Sequence, residues 1–227
     1  MKPYGNFVKE KEFKITSPTP PRPQLNYIWN SKVLSGVNQN GGGLGAYGVR
    51  ALAYIDPEGK GRCSVIRDGS RYFYVTNNKT GKVFNPCYYP SNTQLDDYYC
   101  IHGLGYTKIH GVCDGVEADL RVYINDTDPC EIWTVTLTNK NASEADISLY
   151  SFVDFQLEGY QRYSDYNSYV HAEYDEEAKL LMCFNMAMER PHEWFNGFLA
   201  SSKAPDSFET SRRGFIGAYG SIASPDG

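Results

Sequence analysis

The chain has 227 residues, a net charge of −5, 41% hydrophobic and 22% charged residues, the balance of a globular protein that buries a core rather than of a disordered one. Its pI lies near 5.4 and Arg212-Arg213 is an isolated basic pair, so the footprint of a nucleic-acid-binding protein is missing. No apolar run approaches membrane-spanning length, and the start, Met1-Lys-Pro-Tyr-Gly-Asn-Phe, has no apolar signal core; a cytoplasmic protein with no membrane or nucleic-acid partner is expected.

Nineteen tyrosines suit strands and contact surfaces with one wet edge. Taken in order, Phe7, Phe13 and Ile15 alternate weakly among charges and predict an opening hairpin or edge strands. Thr16-Ser-Pro-Thr-Pro-Pro-Arg-Pro can be neither helix nor central strand, because Pro lacks the donor and fixes φ; it reads as an extended connector. Leu25-Asn-Tyr-Ile-Trp is expected as a short strand entering the core. Gly36-Val-Asn-Gln-Asn-Gly-Gly-Gly-Leu-Gly-Ala-Tyr-Gly follows, with six glycines in thirteen residues. It lacks the Lys of a phosphate-binding loop and the helix of a dinucleotide fingerprint. Two readings stand: a mobile hairpin loop, or a loop that closes over a ligand, with Asn40 and Tyr47 as candidate sugar contacts.

Strands dominate from Arg71 onward. Arg71-Tyr-Phe-Tyr-Val-Thr, the turn Asn77-Asn-Lys-Thr-Gly and Lys82-Val-Phe spell a hairpin. Val116, Ala118, Leu120, Val122 and Ile124 alternate with Glu117, Asp119 and Arg121, inward against outward. Trp133, Val135 and Leu137 alternate likewise. Ile147 to Leu157 is almost continuously apolar, which predicts a central strand buried on both faces. Leu180-Leu-Met-Cys-Phe and Phe195-Asn-Gly-Phe-Leu are further strands, Asp175 to Lys179 is a turn, and no helix is expected. The fold class is all-β, a large antiparallel sandwich formed by residues 1–227 as a single domain. Six cysteines show no Cys-x-x-Cys pair and read as buried free thiols. The four histidines lack metal-ligand spacing, so no metal is expected.

Asp97-Tyr-Tyr-Cys-Ile-His-Gly-Leu-Gly-Tyr-Thr-Lys-Ile sets His102 and a Gly-Leu-Gly turn among aromatics. Tyr98, Tyr99 and Tyr106 offer the flat faces and hydroxyls that a sugar site uses. A tight turn with core tyrosines is the plainer reading; His102 and Tyr106 are the sugar-site candidates.

Several stretches together resemble the amino-terminal domain of the cellobiose and chitobiose phosphorylases, glycoside hydrolase family 94. They are Tyr4-Gly-Asn-Phe, Thr19-Pro-Pro-Arg-Pro with Asn26-Tyr-Ile, the Gly41-Gly-Gly loop, Arg71-Tyr-Phe-Tyr-Val, His102-Gly-Leu-Gly-Tyr-Thr, Glu131-Ile-Trp-Thr-Val-Thr-Leu-Thr-Asn, Leu149-Tyr-Ser-Phe-Val-Asp-Phe, Gln161-Arg162 and Phe215-Ile-Gly-Ala-Tyr. The resemblance implies a super-sandwich of the galactose-mutarotase type, followed in the family by an α/α barrel that this stretch lacks. It also implies a parent enzyme that cleaves a β-linked disaccharide with inorganic phosphate as co-substrate and no other cofactor, giving an α-sugar-1-phosphate and a free sugar. The general acid belongs to the barrel, so no residue here is expected to be catalytic. The sandwich would contribute to a homodimer and, through Tyr160, Gln161, Arg162 and Tyr163, to the acceptor side of the neighbouring subunit's site. Arg162 brings a planar fork of donors suited to sugar hydroxyls.

Departures from the family pattern at Ile101, at Gly45-Ala-Tyr-Gly, at Gly159-Tyr-Gln-Arg-Tyr and at Val170-His-Ala-Glu-Tyr-Asp leave the disaccharide open. Ser221-Ile-Ala-Ser-Pro-Asp-Gly ends on a turn, so a longer parent chain is expected, with apolar surface bared where the barrel is absent. Two alternatives remain. One is a free-standing carbohydrate-binding sandwich with Tyr98, Tyr99, Tyr106 and Trp133 as stacking platforms. The other is a mutarotase-like enzyme pairing His102 with Asp97 or Asp154.

Overall fold

Fifteen strands and one helical turn follow in chain order in the computed structural model, which describes residues 4–47, 63–158, 170–185 and 196–226. The strands are β1 (Gly5–Lys9), β2 (Glu12–Ile15), β3 (Leu25–Trp29), β4 (Val33–Asn38), β5 (Gly43–Tyr47), β6 (Cys63–Asn77), β7 (Lys82–Phe84), β8 (Asp97–Gly103), β9 (Tyr106–Cys113), β10 (Val116–Ile124), β11 (Glu131–Asn139), β12 (Ile147–Glu158), β13 (Val170–Asp175), β14 (Leu180–Asn185) and β15 (Asn196–Ala200); α1 is Arg212–Ile216. The first sheet runs β1-β2-β8-β9-β10-β11 and the second β12-β6-β5-β4-β3, with β7 beside β6; β13-β14-β15 form a third. Pairing within each is antiparallel. Among the described residues no helix is long and apolar enough to cross a membrane.

The first two sheets face each other as the alternation of side chains requires. Val116, Ala118, Leu120, Val122 and Ile124 all point inward from β10 and are buried. Of these, Leu120, Val122 and Ile124 meet Ile28, Val37 and Phe73 of the second sheet, with Ile15, Cys87, Cys100 and Ile109 filling between. Each such aliphatic side chain contributes on the order of 2 kcal/mol through area removed from water. A second cluster, Val75, Phe84, Leu95, Cys113 and Val116, extends the same core. The free thiols Cys87, Cys100, Cys113 and Cys183 are buried, and burial pushes the Cys183 thiol up to about 11.

Three local expectations are corrected. The apolar β12 is an edge strand, not a central one: among the described residues it pairs only with β6. Its apolar residues are explained by different neighbours, since Phe152 lies under Phe215 of the carboxy-terminal segment, while Leu149 and Tyr150 stay 44% and 42% exposed. The strand β3 sends only Ile28 into the core and leaves Leu25, Tyr27 and Trp29 outside. Where no helix was expected, one turn forms at Arg212–Ile216, capped by Ser211, whose hydroxyl accepts from the Gly214 amide.

The glycine-rich stretch is a packed turn rather than an open loop. Gln39, Gly41 and Gly42 are buried; Gln39 donates to the Pro18 carbonyl at 3.1 Å and accepts from the Gln24 amide at 3.0 Å. The Tyr98 hydroxyl donates to the Gln39 carbonyl. At Gly43, φ is +136° and a Cβ would lie 2.0 Å from the Gly36 carbonyl oxygen, so strand-to-strand approach demands glycine there.

Candidate functional site

His102 sits on β8 and points between the sheets, where β3 crosses β9. Its Nε2 donates to the Gln24 carbonyl at 2.9 Å, which fixes Nδ1 as the acceptor from the Thr107 hydroxyl at 3.0 Å. Thr107 in turn accepts from Asn26 Nδ2 at 3.2 Å, and the same amide donates to the Gly103 and Tyr106 carbonyls. Burial holds the imidazole below its ordinary pKa against the opposing hydrogen bond to Gln24. Both ring nitrogens are spent on the frame. A catalytic pairing with Asp97 or Asp154 is not formed: Asp97 lies toward His110, 3.7 Å away, and Asp154 bonds Arg212 at 3.0 Å on the outer face of the second sheet.

The tyrosines divide by face. Tyr98 and Trp133 turn inward; Trp133 packs edge-on against Phe73 at 5.6 Å and donates to Glu131. Tyr99 and Tyr106 turn outward from the first sheet, but their rings are occupied. Tyr99 stacks on His110 at 4.4 Å and carries Lys14 Nζ 4.3 Å from its centroid. Tyr106 lies across Gly103, where a Cβ would come within 2.4 Å of its ring, has Arg121 at 5.1 Å and donates to Glu12 at 2.8 Å. The four residues therefore form no free stacking platform. Asn40 lies in the β4–β5 turn, its amide bonded to Asn38 Oδ1, and Tyr47 is exposed at the end of β5. His102 and Tyr106 are neighbours in the β8–β9 ladder but on opposite faces of it, and Asn40 and Tyr47 belong to the β4–β5 hairpin.

Two polar groupings were not anticipated. Arg71, fully buried, donates to both carboxylate oxygens of Glu131, to Ser35 Oγ at 2.9 Å and to the Leu44 carbonyl at 2.8 Å. Ser35 also donates to Glu131. This cluster ties β4, β5 and β6 to β11 across the core. No spacing in the sequence marks it, since Arg71 lies within β6 and Glu131 sixty positions on at the start of β11. On the outer face of the first sheet, His110, Glu117 and Asp119 hold ligand atoms within 4.8 Å of one another. Lys108 stands 3.3 Å from Asp119 and Lys140 3.0 Å from Glu117, so the carboxylates already have counter-charges that a cation would have to displace.

Tyr160, Gln161, Arg162 and Tyr163 lie outside the described residues. Their flanks are defined. The end of β12 carries two shifts of register, and Leu157 adopts φ +50°, the bending that bulges produce at strand ends. Leu157 and Phe155 pack on Cys183, Val170 and Ala172 of the third sheet, and a Cβ on Gly197 would touch Leu157 at 3.1 Å. Glu158 pairs with Ser64, and Cys63 with Tyr47. Val170 pairs with Asn185, and Phe184 with Asn196. The strand ends that bracket 48–62, 159–169 and 186–195 thus gather at one end of the fold.

The family model of the glycosyl hydrolase 94 supersandwich domain matches residues 11–227. The chain belongs to this family. Among its relatives is solabiose phosphorylase of Paenibacillus borealis, 54% identical over 226 residues, which are 99% of this chain and 29% of that protein. A 3-O-β-D-glucopyranosyl-β-D-glucuronide phosphorylase of the same organism is 26% identical, over 94% of this chain and 27% of its own length. The N,N'-diacetylchitobiose phosphorylase of Vibrio proteolyticus is 27% identical, over 98% of this chain and 28% of its own. The family 94 stretch described here therefore spans less than a third of the length of the curated relatives it matches. The all-β, antiparallel architecture agrees with the super-sandwich that defines the matched domain.

Proposed function

We propose that the chain is the amino-terminal sandwich, one domain over residues 1–227, of an inverting disaccharide phosphorylase. The observation that carries this reading is the 54% identity to solabiose phosphorylase across 99% of the chain. In the reaction a phosphate oxygen attacks the anomeric carbon of a β-glycoside from the face opposite the leaving sugar. The glycosidic C–O bond breaks as a general acid protonates its oxygen, giving an α-sugar-1-phosphate. Phosphate stands where water stands in inverting hydrolysis, so no general base is needed. The general acid and the phosphate site belong to the part of the parent protein beyond this sandwich. The sandwich serves a homodimer and lends Gln161, Arg162, Tyr160 and Tyr163 to the acceptor side of the neighbour's site; the bent end of β12 supports that placement. The free thiols among the described cysteines fit a reducing, cytoplasmic compartment.

The test is phosphorolysis by the full-length gene product on a panel of β-linked disaccharides, with solabiose, N,N'-diacetylchitobiose and cellobiose among them. Release of sugar-1-phosphate from one member is expected. Silence across the panel would overturn the reading.

A further inference from the structure

The outer face of the first sheet gathers an imidazole and three carboxylates at one place. His110 of β9 stands directly opposite Asp119 of β10, and Glu117 follows on the same face one pair along, opposite Val112. Side chains so placed are neighbours across the ladder, directly or on the diagonal. One ligand atom from each of the three lies within 4.8 Å of the others, and His110 Nδ1 is 3.0 Å from Asp119 Oδ1. A tetrahedral zinc with bonds of about 2.1 Å holds its ligand atoms roughly 3.4 Å apart. Small side-chain movements separate the present arrangement from such a coordination sphere.

The imidazole is what ordinary surface ion pairs lack. Its side chain is 9% exposed, and its plane is held by stacking on Tyr99 at 4.4 Å and 13°, so the direction of its nitrogens is set before any ligand arrives. Asp97, paired from β8 with Val112, places Oδ2 3.7 Å from Nε2 on the other side of the ring. A neutral imidazole that ligates through Nδ1 carries its proton on Nε2, and a carboxylate there orients the ring and raises its strength as a ligand. The two lysines that reach the carboxylates come from the rim. Lys108, 36% exposed, contacts Asp119, and Lys140, 55% exposed, contacts Glu117. Exposed pairs of this kind contribute little, so both ammonium groups can swing into solvent when a doubly charged ion takes the carboxylates. Histidine spacing along the chain misses this grouping, because its donors come from two strands and include a single histidine.

We propose that His110 Nδ1, Glu117 and Asp119 form a site for one divalent transition-metal ion of the zinc class, with Asp97 as the outer carboxylate. Imidazole beside two carboxylates suits zinc, whereas calcium and magnesium take oxygen ligands. Glu117 and Asp119 each keep 22% of the side chain exposed, which leaves the solvent side of the ion to water. The bound ion cross-links β9 to β10 and stabilises the folded sandwich by mass action. The site goes beyond the phosphorylase reading and does not depend on it.

Calorimetric titration of the chelator-treated, full-length gene product with zinc chloride tests this, beside the double variant Glu117→Gln, Asp119→Asn. Zinc bound elsewhere in the longer protein is common to both and cancels, so the parent is expected to take up one equivalent more. Equal uptake would overturn the proposal. Calcium chloride should show no such difference; a difference as large as with zinc would overturn the assignment of the metal. Two single variants decide the matter even if the double variant does not fold. Lys108→Ala removes a competing counter-charge and should tighten zinc binding roughly two- to fivefold. Asp97→Asn, at a position whose side chain is 67% exposed, should weaken it roughly ten- to a hundredfold. Affinity that moves in neither variant sinks the site.

Discussion

Arg71 is fully buried, so the stability of its charge depends on Glu131, Ser35 and the Leu44 carbonyl. Replacing Glu131 by Gln keeps the shape and removes the counter-charge. Stranding a buried guanidinium in this way costs about 3–5 kcal/mol, and the calorimetric transition of the sandwich should fall accordingly. Removing both partners, Arg71→Met with Glu131→Leu, should restore much of that loss, because a well-packed apolar pair often matches a buried ion pair. A Glu131→Gln variant as stable as the parent would show that the cluster is not what joins the sheets. Nothing in residue spacing alone reveals such a contact. Arg71 and Glu131 are sixty positions apart, and each looked like an ordinary strand-opening charge.

Among the elements, the β4–β5 hairpin shows how tightly one conformation is specified. Gly43→Ala would push a methyl group into the Gly36 carbonyl at a φ that L-residues rarely adopt, with backbone that must shift on both strands. Gly81→Ala, at φ +69° with nothing within 4 Å, meets only the conformational penalty of the left-handed region, about 1 kcal/mol. Thermal unfolding of the two variants should therefore rank Gly43→Ala far below Gly81→Ala; equal effects would mean that the hairpin relaxes freely. Elements with a regular alternation were legible in the sequence. The pattern of β10 gave its buried face, and the turn Asn77-Asn-Lys-Thr-Gly gave the β6–β7 hairpin. For β12 the same reading failed, because apolar content does not say whether the cover is a neighbouring strand or, as here, Phe215 arriving from the chain's far end. The tyrosines were left with two readings for a related reason. Tyr98 and Tyr99 are adjacent, so one must face the core and the other solvent, and composition does not choose between them.

At the scale of the whole molecule, family membership was legible because many short stretches fell in the family's order. For the individual sugar-site candidates the structure shows a structural use, which each weak motif also allowed: His102 and Tyr106 are held by the β3–β9 frame and by Gly103. The proposed acceptor role of Arg162 is tested with the assembled enzyme. An Arg162→Ala subunit combined in a hybrid dimer with a subunit lacking the general acid has one complete site if the residue serves its neighbour, and none if it serves its own subunit. Random mixing should then recover about a quarter of the parent activity in the first case; no recovery would place the residue elsewhere. The gathering of the strand ends around 48–62, 159–169 and 186–195 carries a consequence for how such a protein diversifies. Those ends are fixed by pairings and by packing on Leu157 that belong to the frame. Length and composition between them can change at small cost in chain entropy. Sequence between these ends can therefore drift without disturbing the pairings that make the inherited scaffold fold as before.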